Sequence, residues 1–225
     1  TLGVFQLKSA GMRVFMKQLK PDNFEDIVAG ISLYRPGPMD SIPTYIENKT
    51  NPQNVTYLHE KLKPIMEVTY GCLVYQEQVM QVVRELGGYT YGRSDLVRRA
   101  MEKKKRYSVN GKEDENGNIE IAGCIRNGVP EDIANQIFDD MIDFAKYAFN
   151  KSHAAAYGVL SYQTAYLKAY YPVEFMAALI TSVMGNTDKD VEYIRACNAL
   201  GIEVLKPDIN KSFSKFSVEG NTIRL

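Results

Sequence analysis

The sequence predicts a mainly α-helical, multi-helix fold with a small β-containing tail at its C-terminal end. Apolar residues recur at helical spacing through most of the 225 residues, and glycine or proline separates these periodic segments. The tail instead has short β-branched runs around a glycine turn. We therefore expect a helical domain over residues 1–202, and a small β segment over residues 203–225 that leads into a further domain.

The first half of the chain contains helices with recognisable ends. A helix is predicted over residues 9–19, where the apolar side chains share one face. Asn23 caps a second helix over residues 23–33, and the prolines and glycine of residues 35–38 end it. Further helices are predicted over residues 41–48, 59–66 and 76–86, with a short strand or extended segment over residues 68–75.

The middle of the chain alternates helices with polar turns. A turn over residues 87–92 precedes a helix that Ser94 caps and that extends to Arg106. Residues 107–128 are predicted to form a polar loop or a small hairpin, because asparagine, aspartate and glycine cluster there. Pro130 suits the first turn of the helix that follows.

The last third contains the longest predicted helix, which begins at Asn150 or Ser152 and ends before Pro172. Two shorter helices follow, and Gly201 ends the second of them. The tail then predicts a hairpin turn at residues 219–221. The shorter helices cover residues 174–184 and 188–200, and the strands cover residues 202–205, 213–218 and 222–225.

Composition narrows the class of protein. Lysine plus arginine number 27, as do aspartate plus glutamate, so the net charge is zero. Three cysteines without a C-x-x-C pair fit a reducing cytosol, and two histidines cannot build a zinc site of the usual patterns. No stretch approaches the ~20 apolar residues that a membrane helix needs. The sequence lacks an initial methionine and ends within an apolar run, so we expect it to be part of a longer protein.

A run of basic residues between Arg93 and Arg106 is the strongest functional signal. Only Asp95 and Glu102 oppose its charge, although the whole chain is neutral. Such a run can be a plain solvated helix face, but two adjacent guanidinium groups can hold a phosphate chain through paired hydrogen bonds. We therefore predict a polyanionic partner that contains phosphate. The run consists of Arg93, Arg98, Arg99, Lys103, Lys104, Lys105 and Arg106.

Two other segments could contribute to a phosphate site. Residues 149–153 open a predicted helix, where free backbone N–H groups favour anions, and Asn150, Lys151 and His153 add further donors. Arg35 lies in a rigid turn that could present it to a ligand, although a plain turn is the simpler interpretation. Five tyrosines in the longest helix either belong to the core or stack on bases: Tyr157, Tyr162, Tyr166, Tyr170 and Tyr171.

An acidic metal site cannot be identified in the sequence. Two-metal phosphoryl transfer needs carboxylates that converge, and Asp139 and Asp140 are adjacent, so their side chains diverge on a helix. A phosphate loop of the G-x-x-x-x-G-K-[ST] type is also lacking. The sequence thus predicts phosphate-binding parts without a metal centre of its own.

Several distinctive blocks resemble those of the bacterial DNA polymerase III alpha subunit, the C-family replicative polymerase. The resemblance extends over almost the whole chain. The blocks are Thr1-Leu2-Gly3-Val4-Phe5-Gln6-Leu7, Tyr34-Arg35-Pro36-Gly37-Pro38-Met39, Tyr75-Gln76-Glu77-Gln78-Val79-Met80, Leu96-Val97-Arg98-Arg99-Ala100-Met101, Phe149-Asn150-Lys151-Ser152-His153-Ala154-Ala155-Ala156-Tyr157 and Pro207-Asp208-Ile209-Asn210-Lys211.

The resemblance implies a fingers domain that closes over an incoming deoxynucleoside triphosphate. It implies a parent DNA-directed DNA polymerase, a cytoplasmic nucleotidyltransferase of bacterial chromosome replication. Mg²⁺ would be bound by palm aspartates upstream, so this chain alone is expected to be inactive. Relatives usually carry a longer stretch where Lys105 here runs straight into Arg106.

The same resemblance implies site residues and partners. Arg98 and Arg99 would hold the triphosphate, and Arg35, Asn150, Lys151 and His153 would line the same pocket. Further candidates for this pocket are Gln76, Gln78 and Tyr157. DNA contacts would come from Arg93, Lys103, Lys104 and Lys105. The expected partners are a DNA primer–template, deoxynucleoside triphosphates, the sliding clamp and other replicase subunits.

Two other functions also fit the residues. One is a non-catalytic helical module that binds single-stranded nucleic acid through the basic run and the tyrosines. The other is a purely structural helical domain whose basic run pairs with an acidic partner.

Overall fold

The computed structural model describes residues 2–225, which form twelve α-helices and five short strands. The mainly α prediction is confirmed. None of the helices formed by these residues combines the length and apolar character of a membrane span.

The helices are α1 (Ala10–Leu19), α2 (Phe24–Leu33), α3 (Ile42–Thr50), α4 (Lys63–Met66), α5 (Gln76–Glu85), α6 (Tyr91–Arg99), α7 (Met101–Asn110), α8 (Gly123–Arg126), α9 (Glu131–Ala145), α10 (Lys151–Tyr170), α11 (Pro172–Thr181) and α12 (Thr187–Ala199). The strands are β1 (Lys112–Glu113), β2 (Ile119–Ile121), β3 (Val204–Leu205), β4 (Ser217–Glu219) and β5 (Thr222–Arg224).

The chain divides into two compact units. One consists of the residues before Val14 together with Val159–Leu225, and the other is Val14–Gly158. The second unit has a core built from α5, α6, α7 and α9, which meet through fully buried apolar side chains. Because a buried apolar side chain contributes about 1.5–3 kcal/mol relative to an exposed one, this core holds the helices around it in fixed positions. Its central side chains are Val79, Val83, Leu86, Val97, Cys124, Phe138 and Met141.

The start of α2 is fixed by a polar network, as the sequence predicts. The Asn23 side chain accepts a hydrogen bond from the Asp26 backbone N–H at 3.0 Å, which is an ordinary N-cap. Asp26 itself is buried, and its carboxylate lies 3.1 Å from the Lys49 ammonium. The predicted second helix and its cap are therefore confirmed.

The strand or extended segment predicted over residues 68–75 is wrong over residues 68–71, whereas Tyr75 is extended and bridges to Phe149. A 3₁₀ turn covers Glu67–Thr69, and Tyr70 adopts left-handed backbone geometry with φ of 51°. The buried Gln78 side chain accepts hydrogen bonds from the backbone N–H groups of Val74 and Tyr75. The Gln78 side chain therefore accepts the two hydrogen bonds that a neighbouring strand would otherwise accept from these backbone N–H groups.

The single helix predicted from Ser94 to Arg106 is also wrong. α6 begins at Tyr91, so Ser94 lies inside the helix, where its hydroxyl donates to the Tyr91 carbonyl at 2.6 Å. Ala100 then interrupts the helix with φ of −132° and ψ of 36°. α6 packs on α5, whereas α7 packs on α8 and α9, and the two helices need different directions for these contacts.

The polar segment after α7 forms a hairpin, one of the two forms that the sequence predicts. β1 pairs with β2 in antiparallel orientation, and Asp114 stabilises the turn by accepting from two backbone N–H groups. The hairpin ends where Gly111 meets Gly123. A Cβ atom on Gly123 would lie 2.3 Å from the Gly111 nitrogen, so only glycine fits there.

The first unit ends in a small sheet with the order β3-β5-β4. β5 runs parallel to β3 and antiparallel to β4, and Ile223 at its centre is fully buried against α11 and α12. Three tail strands form as predicted, but the strand expected over residues 213–218 is wrong for residues 213–216, and Glu219, expected in the turn, ends β4 instead. The turn itself lies at Gly220 and Asn221. The domain boundary expected at residue 203 stays a prediction.

All three cysteines are free and buried, in agreement with the lack of a disulfide pattern in the sequence. Burial raises the pKa of Cys72 to about 11 and the pKa of Cys124 to about 12. Both thiols therefore stay protonated at neutral pH, and we assign them a packing role.

Candidate phosphate-binding site

The arginine pair lies at the C-terminal end of α6, and one aspartate holds both side chains. Arg98 donates to Asp95 Oδ1 from Nε at 3.1 Å and from Nη2 at 2.9 Å. Arg99 Nη2 lies 2.9 Å from Asp95 Oδ2. Asp95 is one helical turn before the pair, which is the spacing at which helix side chains meet. The two guanidinium groups are therefore held side by side.

The two arginines differ in exposure, and this difference gives them different chemistry. The Arg98 side chain is only 17% exposed, whereas that of Arg99 is 68% exposed. The hydrogen bond from Arg98 is the main cause that lowers the pKa of Asp95 below its usual range. Asp95 is thus ionised at neutral pH. It orients Arg98 firmly and leaves the Arg99 guanidinium accessible to an anion from solvent.

A surface pocket of about 360 Å³ opens beside this pair. Four cationic side chains and one acidic side chain line it, so its local charge is strongly positive. The apolar wall comes from the start of α7 and the end of α9. The cationic residues are Arg98, Arg99, Lys103 and Lys146, the acidic residue is Glu102, and the apolar wall includes Met101, Ile142 and Ala145.

The rest of the basic run is divided between paired and unpaired side chains. Arg93 lies 3.3 Å from Glu120, and Lys105 lies 2.6 Å from Asp139. Within residues 2–225, Lys103, Lys104 and Arg106 form no ion pair. Lys104 instead lies over the Tyr107 ring, 5.8 Å from its centroid. α7 continues without a break from Lys105 into Arg106.

The start of α10 carries the second group of predicted residues, and the backbone N–H groups of Lys151 and His153 already have partners inside the protein. Asn150 Oδ1 accepts from the His153 backbone N–H at 2.9 Å. The Glu77 carboxylate accepts from the Lys151 backbone N–H at 3.0 and 3.1 Å, and from Asn150 Nδ2 at 3.0 Å. The Glu77 carboxylate therefore occupies the position at the start of α10 where the sequence predicts a bound anion.

Arg35 joins this second group through an aromatic contact. Its guanidinium carbon lies 4.5 Å from the centroid of the Phe149 ring. His153 and the Phe149 ring meet edge to face with centroids 5.3 Å apart, and the His153 ring lies 4.3 Å from the Tyr157 ring, tilted by 32°. The Lys151 ammonium lies 2.9 Å from Glu25 Oε2 on α2. The predicted residues Arg35, Asn150, Lys151 and His153 thus form one cluster.

The glutamines of α5 have structural partners. Gln76 donates from its side chain to the Ala148 carbonyl at 2.8 Å. Gln78 is buried, and its amide nitrogen donates to the Ile65 carbonyl and to the Thr69 hydroxyl. Both glutamines thus have partners within the protein, and their place in the triphosphate pocket stays a prediction.

The two groups of predicted residues lie near each other along the chain. Lys146 lines the arginine pocket, and Phe149 follows it by three residues. Three residues of fully extended backbone span at most about 11 Å. The backbone at Lys146, beside the arginine pocket, therefore lies within about 11 Å of the backbone at Phe149 in the Arg35–His153 cluster.

Residues 2–225 include no group of three or more His, Cys, Asp and Glu side chains that could hold a metal ion. Three carboxylates near the site, those of Asp95, Glu25 and Glu77, are engaged with cations or backbone donors. The described residues therefore do not bring together a set of carboxylates of the kind that holds Mg²⁺.

Sequence reasoning missed Asp95 as the residue that holds the arginine pair, although its spacing to Arg98 and Arg99 is visible in the sequence. It also missed the role of Glu77. Glu77 lies in the first turn of α5, more than 70 residues before Asn150, and no local pattern connects them.

Comparison with known proteins identifies the family of this chain. The family described as "Bacterial DNA polymerase III alpha subunit finger domain" matches residues 1–121. "DNA polymerase III subunit alpha" of Thermus aquaticus is 51% identical over 228 residues, covering 99% of this chain and 18% of that protein. The protein of the same name from Bacillus subtilis (strain 168) is 46% identical over 224 residues, covering 100% of this chain and 20% of the relative. The chain thus spans about a fifth of the length of these relatives. It belongs to the bacterial DNA polymerase III alpha subunit finger domain family.

Proposed function

We propose that this chain forms the fingers of a template-directed DNA polymerase and binds the triphosphate of the incoming deoxynucleotide. The observation that carries the proposal is the arginine pair on Asp95 beside the cationic pocket. Arginine suits this task because its planar fork can donate two parallel hydrogen bonds to one phosphate. The family membership supports the same function.

Arg98 and Arg99 have separate tasks in this proposal. Arg98 is held by Asp95 and is pre-oriented, so little side-chain entropy is lost when it contacts a phosphate oxygen. Arg99 is exposed and exchanges part of its contact with Asp95 for a contact with phosphate. Lys103 and Lys146 add positive charge without a fixed geometry.

The proposed reaction is nucleotidyl transfer. The primer 3′-hydroxyl oxygen forms a bond to the α-phosphorus, the bond from that phosphorus to the bridging oxygen breaks, and pyrophosphate leaves. The cationic pocket would neutralise the negative charge that develops on the leaving phosphates and hold the α-phosphate in line. Mg²⁺ would be bound by carboxylates outside this chain. We therefore expect no primer extension by this chain alone.

The remaining partners of the proposal follow from the family. A DNA primer–template would contact Arg93, Lys103, Lys104 and Lys105, and the parent protein would act with a sliding clamp and other replicase subunits in the bacterial cytoplasm. Lys103 and Lys104 are the better candidates for a DNA contact, because Arg93 and Lys105 already pair with acidic side chains.

A nucleotide titration tests the proposal directly. The chain should bind a deoxynucleoside triphosphate more tightly than the matching monophosphate, and the affinity should fall between about 50 mM and about 200 mM salt. The double substitution Arg98→Gln and Arg99→Gln should abolish the preference for triphosphate. Arg126→Gln is the matched control, because Arg126 pairs with Glu113 on the hairpin and lies outside the pocket. An unchanged preference in the double variant would refute the proposal.

A second candidate function is supported by a separate observation on α10. Tyr162, Tyr166 and Tyr170 are 55%, 44% and 68% exposed, and their successive ring centroids lie 6.4 and 4.5 Å apart. Exposed aromatic rings in a row are what single-strand binders use to stack bases. Binding of single-stranded DNA that Tyr166→Ala weakens and that triphosphate does not affect would favour this function.

A further inference from the structure

Glu77 connects the starts of two helices that are far apart in the sequence. It lies in the first turn of α5, and its carboxylate accepts from two donors at the start of α10, the Asn150 side-chain amide and the Lys151 backbone N–H, which is shared between both carboxylate oxygens. These bonds are 3.0–3.1 Å long, and their acceptor is charged. Hydrogen bonds to a charged group are roughly twice as strong as those between neutral groups.

The residues before Glu77 hold the same backbone segment. Tyr75 forms a parallel bridge with Phe149, the Gln76 N–H donates to the Phe149 carbonyl at 2.9 Å, and the Gln76 side chain donates to the Ala148 carbonyl. Residues 75–77 therefore hold the backbone over residues 148–151 at several successive points. We call residues 75–77 the clamp segment.

The segment that the clamp holds carries the side chains of the candidate cluster. Phe149 supports Arg35 and meets His153, Asn150 caps α10, and Lys151 reaches Glu25. A shift of residues 149–151 would therefore move all of these groups together. The glutamate is the only charged member of the clamp segment, so its contribution can be removed by itself.

We propose that Glu77 is a positioning residue, which fixes the start of α10 so that the surrounding cationic side chains meet the triphosphate in one geometry. This inference rests on the proposed function. We do not propose a contact between Glu77 and the triphosphate, because its carboxylate already accepts hydrogen bonds from Asn150 and Lys151. Its negative charge would repel a phosphate, so a role as a direct ligand is excluded on electrostatic grounds.

The proposal predicts a specific order among variants. Glu77→Ala removes both acceptor oxygens, and triphosphate affinity should fall on the order of tenfold, because small misplacements of binding groups are costly. Glu77→Gln keeps one acceptor oxygen and the same shape, so its affinity should lie between those of Glu77→Ala and the unmodified chain. Glu85→Gln is the matched control, since Glu85 is exposed at the other end of α5. The control should bind like the unmodified chain.

Two measurements on the 225-residue chain complete the test. Nucleotide titration gives the affinities, and amide hydrogen exchange at Lys151 reports whether its N–H has lost its acceptor. We expect faster exchange at Lys151 together with weaker triphosphate binding, and partial recovery of both in Glu77→Gln. Because Glu77→Gln preserves side-chain volume, it also tests the inference if Glu77→Ala does not fold.

The outcomes separate this inference from the function on which it rests. If the unmodified chain shows no preference for triphosphate, the proposed function fails. If it does show the preference but the Glu77 variants bind equally well, the positioning role is overturned and the function stands. Tighter triphosphate binding by the Glu77 variants would also overturn the positioning role, because it would show that the carboxylate competes with phosphate for the start of α10.

Discussion

The guanidinium of Arg35 lies over the ring of Phe149, with its central carbon 4.5 Å from the ring centroid. Arg35 follows α2 and Phe149 precedes α10, so this contact joins two segments more than 110 residues apart. It requires the turn over residues 35–38, in which Gly37 has φ of 94° and approaches the Tyr147 ring so closely that a Cβ atom would clash. The turn at Gly37 thus packs against Tyr147 and at the same time places Arg35 over Phe149.

A double-mutant cycle should detect this contact. We expect a coupling free energy of about 0.5–1 kcal/mol between Arg35→Met and Phe149→Leu, measured by urea unfolding, because that is the range of cation–π pairs near a surface. Phe149→Tyr keeps the aromatic face and should retain the coupling. Additive effects of the two substitutions would contradict the contact.

Arg99→Ala tests the arginine pair in a polymerase that carries this chain. Single-turnover incorporation should fall by about 10²–10³, by analogy with the loss of one oxyanion-hole donor, because the leaving phosphates lose a charged donor. Primer–template affinity should change little, because we propose that Arg98 and Arg99 contact the incoming nucleotide and not the DNA. Arg126→Ala, which removes an arginine at the end of α8 that pairs with Glu113 on the hairpin, serves as the control. Incorporation at the normal rate in Arg99→Ala would remove Arg99 from the mechanism.

Acid titration tests how Asp95 holds the pair. The pKa of Asp95 is lowered from its usual 3.8, mainly by the hydrogen bond from Arg98. A lowered folded-state pKa means that the stabilising contribution is complete above the unfolded value and disappears as the pH falls through the folded value. NMR titration should therefore place the Asp95 midpoint below 3.8, and Arg98→Leu should move the midpoint upward. A midpoint at or above 3.8 in the unmodified chain would show that the pair is not formed in solution.

Lys49→Met should destabilise the chain far more than an equivalent change at the surface. Asp26 is 1% exposed and would keep a buried charge without its cation, a situation that typically costs about 3–5 kcal/mol. Lys146→Met is the comparison, because its pair with Asp143 at 3.8 Å is exposed and such pairs contribute about 0–1 kcal/mol. Similar losses in the free energy of unfolding for both variants would refute the buried pair.

Local signals were sufficient for most helices of this chain. The cap at Asn23, the proline at residue 130 and the glycine at residue 201 all mark helix ends that the structure confirms. These signals succeed because caps and prolines act within one turn of the residue that carries them. The hairpin after α7 follows for the same reason, from a cluster of turn residues.

The interruption at Ala100 could not be predicted locally. Alanine has the highest helix propensity of the amino acids, and the flanking residues continue the helical pattern. The interruption is imposed by tertiary contacts, since α6 and α7 pack on different helices. The contacts of Glu77 with Asn150 and Lys151 could not be predicted for a related reason. They connect positions 73 and 74 residues apart, and local patterns carry no information at that range.

The same interruption at Ala100 divides the basic run electrostatically. Arg98 and Arg99 occupy the last turn of α6, where the helix dipole presents partial negative charge and favours cations. Lys103 is the third residue of α7, where the dipole presents partial positive charge and opposes cations. Basic residues that are close in the sequence thus meet opposite local fields in the folded chain. Asp95 and the end of α6 stabilise the charges of Arg98 and Arg99, whereas the start of α7 opposes the charge of Lys103.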